Sequence, residues 1–168
     1  MRTVVVGHGR SVLYAKGIDD YDFVVRLKQG LKIAGTKTDA ICASSADYWK
    51  PKKPFWHFSK TPMNRAVKFD YDKWVEYFGK FNPDYWKPSI GCAACFFVKD
   101  QLGVDKIALA GFDSHFKRWN KHNHNRLSWV HDASAEKRCI ESLFEVTYLG
   151  ISELLESEKR DTDLDAPG

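Results

Sequence analysis

The chain has 168 residues, of which 43% are hydrophobic and 29% are charged. This length favours a single domain, and this composition allows a buried core in a soluble protein. No stretch is long and apolar enough for a transmembrane helix, and the valine run after Thr3 is too short for the core of a signal peptide. We therefore expect a cytoplasmic protein without a membrane partner.

Four short segments predict the strands of a buried sheet. Each is rich in β-branched or apolar residues and is bounded by a polar or glycine turn. They are TVVV at 3–6, FVVRL at 23–27, DAICAS at 39–44 and DKIALAGFD at 105–113. The Trp- and Pro-rich span 46–69 has no clear period, and we interpret it as an irregular, flap-like insertion.

Three segments predict helices. The aromatic spacing in 70–81 indicates a helix with Asp70 as its N-cap, and SIGCAACFFVKDQLG at 89–103 indicates a buried helix capped by Ser89. The apolar spacing from 132 to about 156 also indicates a helix, with an interruption near Gly150 as the alternative. We predict one domain over 1–157 and a disordered acidic tail over 158–168.

The four cysteines include one CxxC pair, Cys92 and Cys95, within the apolar run GCAACFF. Such a pair marks some zinc and redox sites. Here no second CxxC accompanies it and no strand precedes it, so buried, reduced core cysteines are the favoured interpretation, with a redox or metal role as the alternative.

The alternation of strand, glycine turn and helix predicts an α/β fold with a mostly parallel sheet flanked by helices. Ligands of such sheets lie beyond the carboxyl ends of the strands. Three motifs are expected there: GHGRS at 7–11, GFDS at 111–114 and VHD at 130–132.

Two of the motifs are suited to anion binding. Glycines after a strand let backbone N–H groups approach a phosphate, and GHGRS adds Arg10 and Ser11 as donors, although a plain turn explains it as well. PSIG at 88–91 places Ser89 at a helix start, either as a simple cap or beside a bound phosphate.

HDASAE at 131–136 combines a capping Asp132 with His131 and Glu136. The positive end of a helix dipole favours neutral imidazole, which is the form that a general base needs. Glu136 is one turn further on and could hold the imidazole or a neighbouring loop. An ordinary capped helix remains the alternative.

The stretch 115–126 is rich in Lys, Arg and His and contains no acidic residue. His122 and His124 lack accompanying ligands at zinc spacing, so we expect no metal there. A phosphate-facing cluster and a merely solvated loop are both consistent with the pattern. The net charge of +4 favours an anionic partner and leaves nucleic acid open.

Taken in order, these segments resemble the sialyltransferases that use CMP-sialic acid. That family has a GNG-type turn, a V-x-R-x-N element, a G-x-K-T element, a P-S-x-G motif, a histidine- and aromatic-rich motif, and H-x-x-x-x-E. The matching segments here are GHGRS, VVRLK, GTKTD, PSIG, KHNHN and HDASAE. The resemblance covers residue 4 to about 145.

The resemblance implies a nucleotide-binding, Rossmann-like fold of the GT-A variant and inverting transfer from a CMP-activated sugar to a hydroxyl of a glycan or other acceptor, without a metal or other cofactor. It implies that His131 is the general base, and that a histidine of the third motif stabilises the leaving phosphate. His122 and His124 are the candidates for that role, with His115 as a fallback. The implied nucleotide-binding residues are Gly7, His8, Gly9, Arg10, Ser11, Lys28, Ser89, Gly91 and Gly111.

The chain departs from the family pattern at two positions that contact the nucleotide. His8 and Lys28 stand where the family has asparagine, so the base or sugar preference is open. The first-motif cysteine is absent, so the usual disulfide between motifs is not expected. These two departures favour a non-catalytic nucleotide-binding module as one alternative function. The basic stretch 115–126 suggests another, a nucleic-acid-modifying sugar transferase.

Overall fold

The computed structural model describes residues 1–27, 34–44, 56–60, 66–68, 76, 78–81, 88–116 and 132–164. The predicted N-cap Asp70 and most of the helix predicted at 70–81 lie outside these residues, although Glu76 and Phe78 are helical.

The described strands form one sheet in the order β5-β4-β3-β2-β1-β6-β7. The strands β3, β2, β1, β6 and β7 are mutually parallel, whereas β4 and β5 are antiparallel additions at one side. The strand bounds are Thr3–Val6 (β1), Phe23–Leu27 (β2), Ala40–Ser44 (β3), Trp56–Lys60 (β4), Ala66–Lys68 (β5), Lys106–Ala110 (β6) and Glu145–Leu149 (β7).

Three helices accompany the parallel strands: α1 (Ile90–Leu102), α2 (Ala133–Leu143) and α3 (Ile151–Leu164). Short 3₁₀ turns at Arg10–Tyr14, Ile18–Asp20 and Asp113–His115 complete the described elements. The predicted α/β architecture, with a mostly parallel sheet flanked by helices, is confirmed.

The side chains of the central strands alternate between two cores, as the two-residue period of a strand requires. Val5, Val25 and Leu109 pack with α1 and α2 on one face. Val4, Val24 and Ala108 pack with the 3₁₀ turns on the other face. Because both faces are covered, the strand segments are almost purely apolar, and this made them recognisable in the sequence.

The helix predicted from 132 to about 156 is wrong over residues 145–149, which form β7. The residues Val146, Thr147 and Tyr148 are β-branched or aromatic and pair in parallel with β6. Val146 and Tyr148 pack against the same core as Ile140 and Phe144. The spacing of apolar residues across this region satisfies a strand and a helix equally well, which explains the error.

Two further segments differ from the prediction. Part of the 46–69 insertion is regular, because β4 and β5 extend the sheet beyond β3. Helix α3 continues to Leu164 and so enters the segment predicted as a disordered tail from 158 onward. An ion pair between Arg160 and Glu156, one helical turn apart, supports this extension.

All four cysteines are buried and free, as predicted for core residues. Burial raises the pKa of the Cys42 thiol and of the Cys92 and Cys95 thiols. No helix in the described part of the chain has the length and apolarity required to cross a membrane.

Candidate functional site at the carboxyl edge of the sheet

The parallel strands end at one edge of the sheet, and the motifs identified in the sequence collect there. GHGRS follows β1, and GFDS follows β6. Helices α1 and α2 lead through short connections into β6 and β7, so their N-termini lie at this same edge. The chain runs to β2 and β3 on one side of β1 and to β6 and β7 on the other. This reversal is the position at which open α/β sheets bind ligands.

The turn after β1 is joined to the turn after β6 by backbone hydrogen bonds. Gly7 N donates to Ala110 O at 2.7 Å, and Gly9 N donates to Gly111 O at 2.9 Å. A Cβ atom on Gly7 would lie 2.8 Å from the Gly111 oxygen, so the two turns approach more closely than a side chain permits. The two glycines of GHGRS thus serve this contact between turns.

Asp113 also joins the two turns, through its hydrogen bonds with Ser11, which is fully buried. The Ser11 hydroxyl donates to the Asp113 carboxylate, and Ser11 N lies 3.2 Å from both of its carboxylate oxygens. Gly111 N donates to the same hydroxyl at 3.1 Å. A carboxylate of the protein therefore occupies the anion-binding position of this turn, and the N–H groups of Gly7, Gly9 and Ser11 already have acceptors.

His8 and Arg10 are the exposed side chains of the turn. His8 Nε2 lies 3.2 Å from Leu27 O, at the end of β2. Since a carbonyl oxygen only accepts, Nε2 carries a proton in this contact. Arg10 is 70% exposed and lies 3.7 Å from Glu158 of α3, so its guanidinium remains accessible to an anion.

The PSIG and HDASAE motifs meet through a buried carboxylate. Ser89 N and the Ser89 hydroxyl each donate to Glu136 at 2.6 Å. Glu136 is only 3% exposed, so these bonds operate in a poorly solvated environment and are strengthened by the charge. Of the two partners that the sequence suggested for Glu136, the segment that starts α1 contacts it through Ser89, whereas His131 lies outside the described residues.

Two of the three predicted helix caps are confirmed, and the third, Asp70, lies outside the described residues. Asp132 accepts a hydrogen bond from Ala135 N at 2.9 Å, and the Ser89 hydroxyl accepts one from Cys92 N at 3.2 Å. The Ser89–Glu136 bridge therefore joins the first turn of α1 to the first turn of α2. It fixes the distance between the two helix starts at the carboxyl edge.

Helix α1 begins with two N–H groups, those of Ile90 and Gly91, for which the described residues provide no acceptor. These N–H groups lie at the positive end of the helix dipole, a position at which proteins commonly bind phosphate. Gly91 is required for close packing, since a Cβ atom there would lie 2.8 Å from the ring of Phe112. The first turn of α1 is therefore better suited to bind an anion than the GHGRS turn is.

His115 lies beside this region, in the 3₁₀ turn after β6. Burial, reinforced by the nearby Lys137, lowers the pKa of His115 to about 4, with Glu141 opposing the shift. A neutral imidazole cannot stabilise a departing phosphate by charge. The fallback role suggested for His115 is therefore physically disfavoured.

Several of the implied site residues are not among those that the structure describes. They are Lys28, His122, His124 and His131. Asp132, the next residue after His131, is at the carboxyl edge and caps α2. Within the described ranges, no group of three or more His, Cys, Asp or Glu side chains could hold a metal ion.

The GTKT motif lies at the opposite edge, before the amino ends of β2 and β3. Asp19 accepts from Thr36 N at 2.9 Å and from Lys37 N at 2.8 Å. Lys37 Nζ donates to the carbonyls of Tyr21 and Asp22, at 2.6 and 3.1 Å. This motif therefore holds two loops together and does not line the candidate site.

Sequence reasoning did not identify Asp113 or Asp19 as important. Asp113 lies within the GFDS motif, but that motif does not show that its carboxylate fills the turn after β1, and Asp19 lies in none of the motifs. Each acts through a partner far along the chain. Comparison of the chain with protein-family models, with curated proteins and with solved structures gives no match.

Proposed function

We propose that this protein is a glycosyltransferase of the sialyltransferase type, with a nucleotide-binding fold of the Rossmann-like GT-A variant. It transfers a sugar from a CMP-activated donor to an acceptor hydroxyl, with inversion and without a metal. The observation that carries the proposal is the Ser89–Glu136 bridge. It joins the PSIG and HDASAE motifs through two residues that lie 47 positions apart in the sequence.

The chemistry requires a base on one side of the donor sugar and a phosphate site on the other. Ile90 N and Gly91 N supply donors for the phosphate at the start of α1. His131 precedes the cap of α2, where the helix dipole favours neutral imidazole. In this reaction His131 takes the proton of the acceptor hydroxyl, the oxygen attacks the anomeric carbon, and CMP leaves with the electrons of the broken bond.

Calorimetric titration with CMP, CMP-sialic acid and the other nucleoside monophosphates tests the donor assignment. We expect binding of the cytidine compounds in preference to the others. If the protein binds no cytidine nucleotide, the proposal fails.

Replacing His131 by alanine tests the mechanism. Transfer should fall by a factor on the order of 100 or more, because general-base catalysis typically contributes that much, whereas CMP binding should persist. Arg138→Ala, an exposed change on α2, is the control. Unchanged turnover in the His131 variant would remove that residue as the base.

A second candidate, a nucleotide-binding module without activity, is favoured by one observation. Asp113 fills the anion position of the GHGRS turn, so one of the two expected phosphate-binding elements is already occupied. This alternative predicts cytidine binding with neither transfer nor hydrolysis of CMP-sialic acid across a panel of glycan acceptors.

A further inference from the structure

His115 belongs to a series of hydrogen-bonded side chains that ends at the carboxylate of Glu141. Its Nδ1 lies 3.3 Å from the Tyr148 hydroxyl, and that hydroxyl lies 3.3 Å from Glu141. The imidazole also contacts the rings of Phe112 and Tyr148 edge-on, with centroids 5.5 and 5.9 Å away. Residues from the turn after β6, from β7 and from α2 thus fix both the plane and the hydrogen bonding of this ring.

The direction of this series follows from the chemistry of its end. An ionised carboxylate only accepts hydrogen bonds, so the single hydroxyl proton of Tyr148 points to Glu141. The Tyr148 oxygen must then accept from His115, which places the imidazole proton on Nδ1. Nε2 is left with its lone pair, and no described residue donates to it.

The surroundings keep the ring neutral. Burial and Lys137 of α2 lower the pKa of His115 to about 4, while Glu141 on the same helix acts in the opposite sense. Burial, with Glu141 next, raises the pKa of Tyr148 on β7, so the hydroxyl also keeps its proton. A histidine with so low a pKa is a weak proton acceptor near neutral pH, and its Nε2 cannot donate to a phosphate. Nε2 of His115 can therefore accept a hydrogen bond but cannot donate one.

Phe112 connects His115 to the proposed phosphate site. Its ring packs against Gly91 in the first turn of α1 and against the imidazole of His115. One aromatic ring therefore separates His115 from the start of α1, and we infer that a group attached to a phosphate at Ile90 and Gly91 can extend to His115. In a nucleotide-sugar, that group is the sugar, whose hydroxyls are hydrogen-bond donors.

We propose that His115 is a specificity-determining residue that accepts a hydrogen bond at Nε2 from a hydroxyl of the donor sugar. The identity of the ligand rests on the proposed function, whereas the state of the imidazole does not. His115 would then select a polyhydroxylated donor over the free nucleotide.

Nuclear magnetic resonance of the full chain with ¹⁵N-labelled histidine tests the state of the ring. Of the six histidines, His115, assigned by its loss in His115→Gln, should show a proton on Nδ1 and no titration between about pH 5 and 8. Tyr148→Phe should disturb that pattern. Tyr14→Phe, which also removes one hydroxyl with a hydrogen bond of 3.3 Å, should leave it unchanged. A proton on Nε2, or titration together with exposed histidines, would overturn the inference.

Calorimetry with CMP and CMP-sialic acid tests the contact. His115→Phe should weaken CMP-sialic acid binding roughly tenfold, the usual size of one lost hydrogen bond, and leave CMP binding unchanged. His115→Gln keeps an acceptor and should retain part of the preference. An equal effect on both ligands, or none, would refute the contact with the sugar. Failure of the wild-type protein to bind CMP would instead refute the proposed function, and with it the sugar contact.

Discussion

Replacing Glu136 by alanine should be among the more destabilising single changes in this chain. The substitution leaves Ser89 N and the Ser89 hydroxyl without their acceptor, in a site where Glu136 is 3% exposed. Hydrogen bonds to charged groups contribute about 1.5–3 kcal/mol each, so two at the lower bound give about 3 kcal/mol. For a chain of this size the melting temperature should fall by about 6–12 °C.

Chemical and thermal unfolding followed by circular dichroism measure this loss, and a double-mutant cycle isolates the bridge. Ser89→Ala alone should cost about 2–3 kcal/mol, because it removes a cap and one bond to Glu136. The double variant should be more stable than the sum of the single changes predicts, by about 1–2 kcal/mol.

Glu153→Ala is the matched control. Glu153 also lies in the first turn of a helix, but it is exposed, so its loss should cost no more than about 0.5 kcal/mol. Strict additivity of the Ser89 and Glu136 changes would refute the bridge, as would equal effects of the Glu136 and Glu153 variants.

Three other outcomes are expected. Gly103 and Gly150 both have positive φ. A Cβ atom on Gly103 meets nothing within 4 Å, whereas one on Gly150 would collide with Ser11 O. In denaturant titrations Gly103→Ala should lower the free energy of unfolding by about 1–2 kcal/mol, and Gly150→Ala should lower it clearly more. Equal costs would argue against the tight contact beneath the GHGRS turn. The four buried cysteines should react with a thiol reagent such as DTNB only after unfolding, because the reagent cannot reach them in the native protein. Burial also raises the pKa of Cys42, Cys92 and Cys95. Fast labelling of the native protein would contradict their burial. The N–H groups of Thr36 and Lys37 lower the pKa of Asp19, so its stabilising contribution is present above the usual pKa of an aspartate and is lost as the pH falls. The stability difference between the wild type and Asp19→Asn should therefore shrink between about pH 5 and 3, and a constant difference would refute this.

The features that the sequence predicted well are local ones. The strands β1, β2, β3 and β6 follow from short β-branched or apolar runs with turns on either side. The caps Ser89 and Asp132 follow from a side chain that bonds a backbone N–H three residues later. In both cases, the interacting groups lie within a few residues of each other.

The features that the sequence did not predict depend on distant partners. Ser11 and Asp113 are 102 residues apart, and no local pattern shows that Asp113 fills the turn after β1. The helical spacing of Ile140, Phe144 and Tyr148 predicts a helix where the structure has the strand β7. Pairing with β6 determines the strand, and that partner lies far away in the sequence.

Structure determination with bound CMP is the most direct test of the central claim, that the carboxyl edge holds a cytidine nucleotide between α1 and α2. The phosphate should lie about 3 Å from Ile90 N and Gly91 N, with the Ser89–Glu136 bridge intact. A phosphate bound at Ser11 N after displacement of Asp113, or CMP bound away from this edge, would contradict it.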